Sequence, residues 1–306
     1  MAASKVPLYT ALLANLLIAV TKFIAAGITG SSAMISEGIH SLVDTSNEVL
    51  LLFGIKRSQK PADRNRPFGY GKELYFWAFI VSLLIFAVGG GISLYEGIMH
   101  IQHPVLIQNP IWNYIVLGVA IVFDGISLIT AVREFNRQRG STPFWSAVRI
   151  SKDPSTFVVL FEDAADVLGL VVAFLGVFLG HQLQNPYLDG IASIIIGLIL
   201  ISISILLARE SRSLLMGESA DQKELDTIVA LVEADPAAQK VLTPLSMYLA
   251  PEEIVLVLPV VFSRDYNQAT TAESINRIRQ NIQKQYPAYK QVFIEPELLT
   301  TLAHEG

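Results

Sequence analysis

Six apolar stretches, each near the ~20 residues that carry a helix across the hydrocarbon core of a bilayer, constrain this chain more than anything else in it. They fall at about residues 7–29, 33–55, 74–98, 112–132, 157–180 and 188–208. In lipid each backbone amide has to be satisfied within its own segment, so residues 1–208 are expected to form an all-α six-helix transmembrane bundle. Composition agrees: 52% of the 306 residues are hydrophobic and only 16% are charged, too apolar a balance for an ordinary soluble domain. The first apolar run is longer than a signal-peptide core and lacks a clear small-residue cleavage site, so it reads as a retained span.

The net charge of −5 conceals a segregation of sign along the chain. The loop after span 2 carries Lys56, Arg57, Lys60, Arg64, Arg66 and Lys72, and the loop after span 4 carries Arg133, Arg137, Arg139, Arg149 and Lys152. The connections around Gly30, His103 and Asn185 carry no Lys or Arg. The positive-inside rule then puts both termini in the cytoplasm. The basic loop is first of all a lipid-facing anchor, at ~1 kcal/mol per basic residue next to anionic headgroups. A bacterial inner membrane is the expected location, with an organellar membrane as the alternative.

From residue 209 to 306 the pattern changes. Ser219 to Ala234 and Thr271 to Tyr286 have the period of amphipathic helices, whereas Val241 to Leu249, Ile254 to Phe262 and Gln291 to Ile294 are β-like. The order α-β-β-α-β predicts a small ferredoxin-like α+β domain, an antiparallel sheet with helices on one face.

There is no cysteine, so thiolate metal sites and disulfides are excluded, and any metal would be held by nitrogen and oxygen. Span 2 nevertheless contains Glu37, His40, Asp44 and Glu48, and span 5 contains Glu162, Asp163 and Asp166. A charged group at a bilayer centre costs ~2.5–3.5 kcal/mol on insertion scales, which makes such residues candidates for function. His40 and Asp44 are one helical turn apart, as are Glu162 and Asp166, so two helices can offer four ligands to one cation. The set suits Zn²⁺ in outline and leaves Mn²⁺, Fe²⁺ and Co²⁺ open. The plainer alternative is that these acids glue helices together by pairing with Lys22 or with each other. Glu37 and Glu48 lie nearer the ends of span 2 and are expected to be partly solvated. Asp163 is expected to point away from the pair, and Asp124 and Asp189 read as packing, capping or proton-path residues.

The segment His40-Ser-Leu-Val-Asp44-Thr, followed by Lys60-Pro-Ala-Asp63-Arg-Asn-Arg-Pro-Phe-Gly-Tyr70-Gly-Lys72-Glu73, resembles span 2 and the first cytoplasmic loop of the cation diffusion facilitator family. The run from Arg209 to Asp221 is similar to a divergent, zinc-transporter-like branch. The resemblance implies a homodimeric antiporter that expels a divalent metal as protons enter, with its central site on His40, Asp44, Glu162 and Asp166. Glu162 departs from the His or Asp usual in zinc-selective relatives. The family's loop site would align with Asp63, Arg66 and Tyr70, and Arg66 cannot bind a cation. A tail metal site is not expected either, because Phe293 and Glu295 stand where ligands would be and the one tail histidine is His304.

The expected function is therefore proton-coupled export of a divalent transition-metal cation, Zn²⁺ favoured, by a transporter and not an enzyme. The metal is substrate, and no cofactor is expected. The partners implied are the metal ion, protons, the bilayer and a second copy of the chain, with no nucleic acid. The alternative is a transport-inactive scaffold or metal sensor on the same fold. No nucleophile–base pair, HExxH or phosphate-binding loop supports a membrane enzyme.

Overall fold

The computed structural model of the chain describes residues 6–105, 110–263 and 267–297, with side chains described from residue 15 onward apart from residues 134, 138, 145, 149, 150, 155, 156 and 268. His304 lies outside the described residues. The chain divides into two compact units, one of residues 1–57 and 73–212 and the other of residues 58–72 and 213–306. The loop after the second long helix thus belongs physically to the tail unit.

The first unit is helical. Its elements are α1 (Val6–Thr29), α2 (Ser32–Ser58), α3 (Glu73–Leu84), a π-helical segment (Ile85–Gly90) running straight into α4 (Gly91–Gln102), α5 (Ile111–Arg139), the short α6 (Phe144–Ile150), α7 (Pro154–Gln182) and α8 (Tyr187–Met216). The helices extend past the apolar stretches because polar turns such as Lys56-Arg57 and Ser211 to Met216 continue the same winding. Hydropathy marks the lipid-length portion of a helix, not its ends. Among the described residues, three segments are long and apolar enough to cross a membrane by length and composition: Glu73–Gln102, Ile111–Arg137 and Tyr187–Met216. Within the 24-residue α1, the stretch Asn15–Thr29 is apolar as well. α2 and α7 are of similar length and carry acidic residues within their apolar runs.

Burial runs opposite to that of a water-soluble bundle. On α1 the large residues Leu17, Val20, Ile24 and Ile28 are exposed, while Ala19, Lys22, Ala25 and Ala26 are buried. On α5 the exposed set Ile115, Val119, Val122, Phe123 and Ile126 recurs at helical spacing. Continuous apolar exteriors of this size fit lipid contact. Inside, α5 packs along α7 and α1, and α4 lies against α8 so closely that a Cβ on Gly97 would stand 2.7 Å from the carbonyl oxygen of Gly190.

The second unit contains α9 (Gln222–Glu233), β1 (Ala238–Val241), β2 (Leu245–Ala250), β3 (Glu253–Phe262), α10 (Gln268–Gln285) and β4 (Gln291–Glu297). Asp221 caps α9 and Asn267 caps α10 through hydrogen bonds to backbone amides, the usual use of these side chains at helix starts. β1 and β2 run along one edge of β3, with Val241 opposite Val260 and Leu245 opposite Val257. They amount to one strand carrying an extra residue near Pro244, which has no amide hydrogen to give.

The fully antiparallel sheet expected from the sequence needs correction, because β4 pairs with β3 in parallel. The α10 crossover makes this possible, since a parallel neighbour needs a long return connection. Ile254, Leu256, Leu258 and Val260 alternate inward and form the core with Leu225, Ile228 and Val232 of α9 and Ile278 and Ile282 of α10. The opposite face carries a row across three strands, Leu245, Val257 and Phe293, and both Leu245 and Phe293 are exposed.

Candidate metal centre

Two helices build the centre. On α2, His40 and Asp44 stand one turn apart, and α7 brings Asp166 against them. His40 Nδ1 lies 3.2 Å from Asp44 Oδ1, and His40 Nε2 lies 2.9 Å from Asp166 Oδ1. Ligand atoms of these three residues all fall within 4.8 Å of one another. His40 is 1% exposed, so the ring meets two carboxylates away from solvent. A neutral imidazole donates only one hydrogen bond. Both ring nitrogens face a carboxylate oxygen without an aligned hydrogen bond to it, which leaves four buried polar atoms open to a shared ligand.

Glu162, the fourth residue expected from the sequence, is buried close by but does not join this three-residue set. Its carboxyl lies against that of Asp44, and its Oε1 accepts a 2.6 Å hydrogen bond from Nδ2 of Asn47, itself fully buried. Sequence reasoning passed over Asn47, although it continues the stripe one turn beyond Asp44 and a polar amide at such a depth is itself a signal.

The other acids have separate partners. Glu37 is not solvated as its position near the start of the span suggested. It is fully buried and its Oε2 accepts from Lys22 Nζ at 3.1 Å. Lys22 also donates to Ser41 Oγ at 2.7 Å. Space for Glu37 comes from α7, where a Cβ on Gly169 would stand 2.5 Å from Glu37 Oε1. The helix-gluing alternative thus holds for one pair, Lys22 and Glu37. Glu48 accepts from Asn15 at 2.9 Å, and Asp163 accepts from Ser127 on α5 at 2.9 Å. Asp124 is half-buried on α5.

Asp189 has a capping role across helices. It accepts from the hydroxyls of Ser31 and Ser32 at 2.6 and 2.9 Å and from the amides of Ser32 and Ala33 at 2.5 and 3.3 Å, fastening the start of α2 to α8. A carboxylate at a helix N-terminus satisfies otherwise unpaired amides and complements the helix dipole. His100 Nε2 of α4 stands 3.9 Å away, so three helices meet at this carboxylate.

In the loop, Asp63 is engaged in its own turn. It accepts from Tyr70 Oη at 2.7 Å and from the amides of Asn65 and Arg66, and the Tyr70 hydrogen bond leads in holding its carboxyl below the usual range. The Arg66 guanidinium lies 4.5 Å over the Tyr70 ring. The three positions form a cation–π and hydrogen-bonded turn.

Residues 8–216 match the cation efflux transmembrane domain. The chain is 36% identical over 222 residues to a mouse protein named proton-coupled zinc antiporter SLC30A9, mitochondrial, covering 72% of this chain and 39% of the mouse protein. It is 27% identical over 249 residues to metal tolerance protein C4 of Arabidopsis thaliana, covering 80% and 53%. With the manganese efflux system protein MneP of Bacillus subtilis it shares 27% identity over 228 residues, covering 72% of each chain. The chain thus spans about two-fifths of the length of its mouse relative. Matched by this domain over more than half of its residues, the chain is an integral membrane protein of the cation efflux, or cation diffusion facilitator, family.

Proposed function

We propose that the chain exports a divalent transition-metal cation in exchange for protons, with Zn²⁺ the favoured substrate, and that His40, Asp44, Glu162 and Asp166 carry the ion. The observation that carries this reading is the buried meeting of His40, Asp44 and Asp166 on two helices. Carboxylates this close repel unless a cation or protons lie between them. Metal ligands must shed protons to bind, so a metal arriving at His40, Asp44 and Asp166 displaces the protons these groups carry, and returning protons expel the metal. Relatives named as a proton-coupled zinc antiporter and a manganese efflux protein support exchange of this type.

Six membrane crossings with both termini in the cytoplasm belong to the same proposal. α1, α2 and α7, of 24, 27 and 29 residues, supply the other three crossings, and the basic loops supply the orientation. A homodimer is proposed as well, supported by the apolar row of Leu245, Val257 and Phe293 on the helix-free face of the tail sheet. The bacterial inner membrane expected from the sequence gains no support from a relative named as mitochondrial.

The test is flux in vesicles reconstituted with the full chain. Zn²⁺ accumulation that rises with an imposed pH gradient, and that Asp44→Ala and Asp166→Ala each abolish, is the expected result. Equal accumulation with and without the gradient removes proton coupling. Full flux in either variant removes the site assignment, and absence of flux in the unmutated chain leaves the scaffold or sensor.

A further inference from the structure

We propose that Asn47 is the positioning residue that sets how Glu162 meets the cation, and thereby the preference of the site between metals; the inference rests on the proposed transport site. Three observations carry it. The Asn47 side chain is fully buried and its Nδ2 donates to Glu162 Oε1 at 2.6 Å. Glu162 stands outside the His40, Asp44 and Asp166 set although it is buried beside it. The remaining polar atom of the amide, Asn47 Oδ1, is buried with no hydrogen-bond partner.

A buried amide oxygen without a partner is costly to keep, so the orientation is decided by the other end of the group, where the NH₂ meets a carboxylate. That hydrogen bond occupies one oxygen of Glu162. A carboxylate so engaged presents its second oxygen to a cation in preference to both together, which favours a one-atom ligand. With His40, Asp44 and Asp166 the count is then four, the number Zn²⁺ prefers. Released from Asn47, Glu162 is free to chelate through both oxygens. The extra oxygen raises the coordination number and hardens the site, which favours Mn²⁺. Asn47 acts through Glu162 and needs no contact with the ion.

The test compares the apparent KM for Zn²⁺ and Mn²⁺ in the same vesicle assay for Asn47→Ala, Glu162→Ala and the double variant. Asn47→Ala is expected to move the KM ratio toward Mn²⁺ by on the order of tenfold, with the maximal rate changed less than the ratio. The double variant is expected to match Glu162→Ala alone. Asn47→Ser, which keeps a donor, should restore the ratio in part. Where the alanine variant is not recovered folded, Asn47→Leu keeps the volume without a donor and takes its place. A ratio that does not move in folded protein overturns the proposal, as does a shift of the same size with and without Glu162. Either result with intact Zn²⁺ flux in the unmutated chain, and its loss in Asp44→Ala, leaves the transport reading standing.

Discussion

Lys22 illustrates what a single side chain can decide in this bundle. Its ammonium is fully buried and shared between Glu37 and Ser41. Removing one partner of such a pair strands the other charge, at about 3–5 kcal/mol. Lys22→Met should therefore sharply lower the melting temperature of the detergent-solubilised protein, and the double variant Lys22→Met/Glu37→Leu should recover most of the loss. A double variant as unstable as the single one would show that the ammonium matters through something other than Glu37. The sequence displayed Lys22 as an isolated cation among several acids but gave no way to choose its partner, because the choice depends on which face of α1 meets α2. The same limit hid Asn47. His40, Asp44 and Asp166 were legible from their four-residue steps, whereas the hydrogen bond that draws Glu162 aside depends on how far two helices stand apart.

At the scale of elements, the approach of α4 to α8 makes a sharp demand. The Gly97 position leaves no room for a side chain against the Gly190 carbonyl. Gly97→Val should force the helices apart and destabilise the protein by about 1–3 kcal/mol, the usual range for overpacking, as measured by thermal unfolding in detergent. Unchanged stability would mean that the two helices separate freely. Helix identity was readable almost throughout, since lipid-length apolar runs and turn residues leave few alternatives. Three features were not. The π segment Ile85–Gly90 has no periodicity of its own at six residues, α6 is too short to stand out, and the parallel placement of β4 depends on a partner strand about thirty residues away in the chain. Local pattern tells which residues are extended, not which neighbour they choose.

Taken as a whole, the molecule combines a helical unit with an apolar exterior and a tail whose sheet keeps one face free of helices. If that face joins two copies, then Leu245→Glu and Phe293→Glu should each convert a dimeric mass to a monomeric one in light scattering of the detergent-solubilised chain. A dimeric mass retained by both variants would place the joint elsewhere. The division into two units was partly legible, because composition changes near residue 209; the membership of residues 58–72 in the tail unit was not, since nothing in a basic loop announces what it packs on. One last consequence comes from the acidic residues that α2 carries within a helix of membrane-crossing length. In the six-crossing arrangement, α2 would enter the bilayer bearing Glu37, His40, Asp44 and Glu48, at ~2.5–3.5 kcal/mol for each charge near the centre. Biogenesis then has an order imposed on it: α2 must partition as a hairpin with α1, where Lys22 waits for Glu37, and its start is fastened only after α8 has been synthesised and delivers Asp189. A ribosome-bound intermediate lacking α8 would hold α2 in the membrane with its first turn still uncapped.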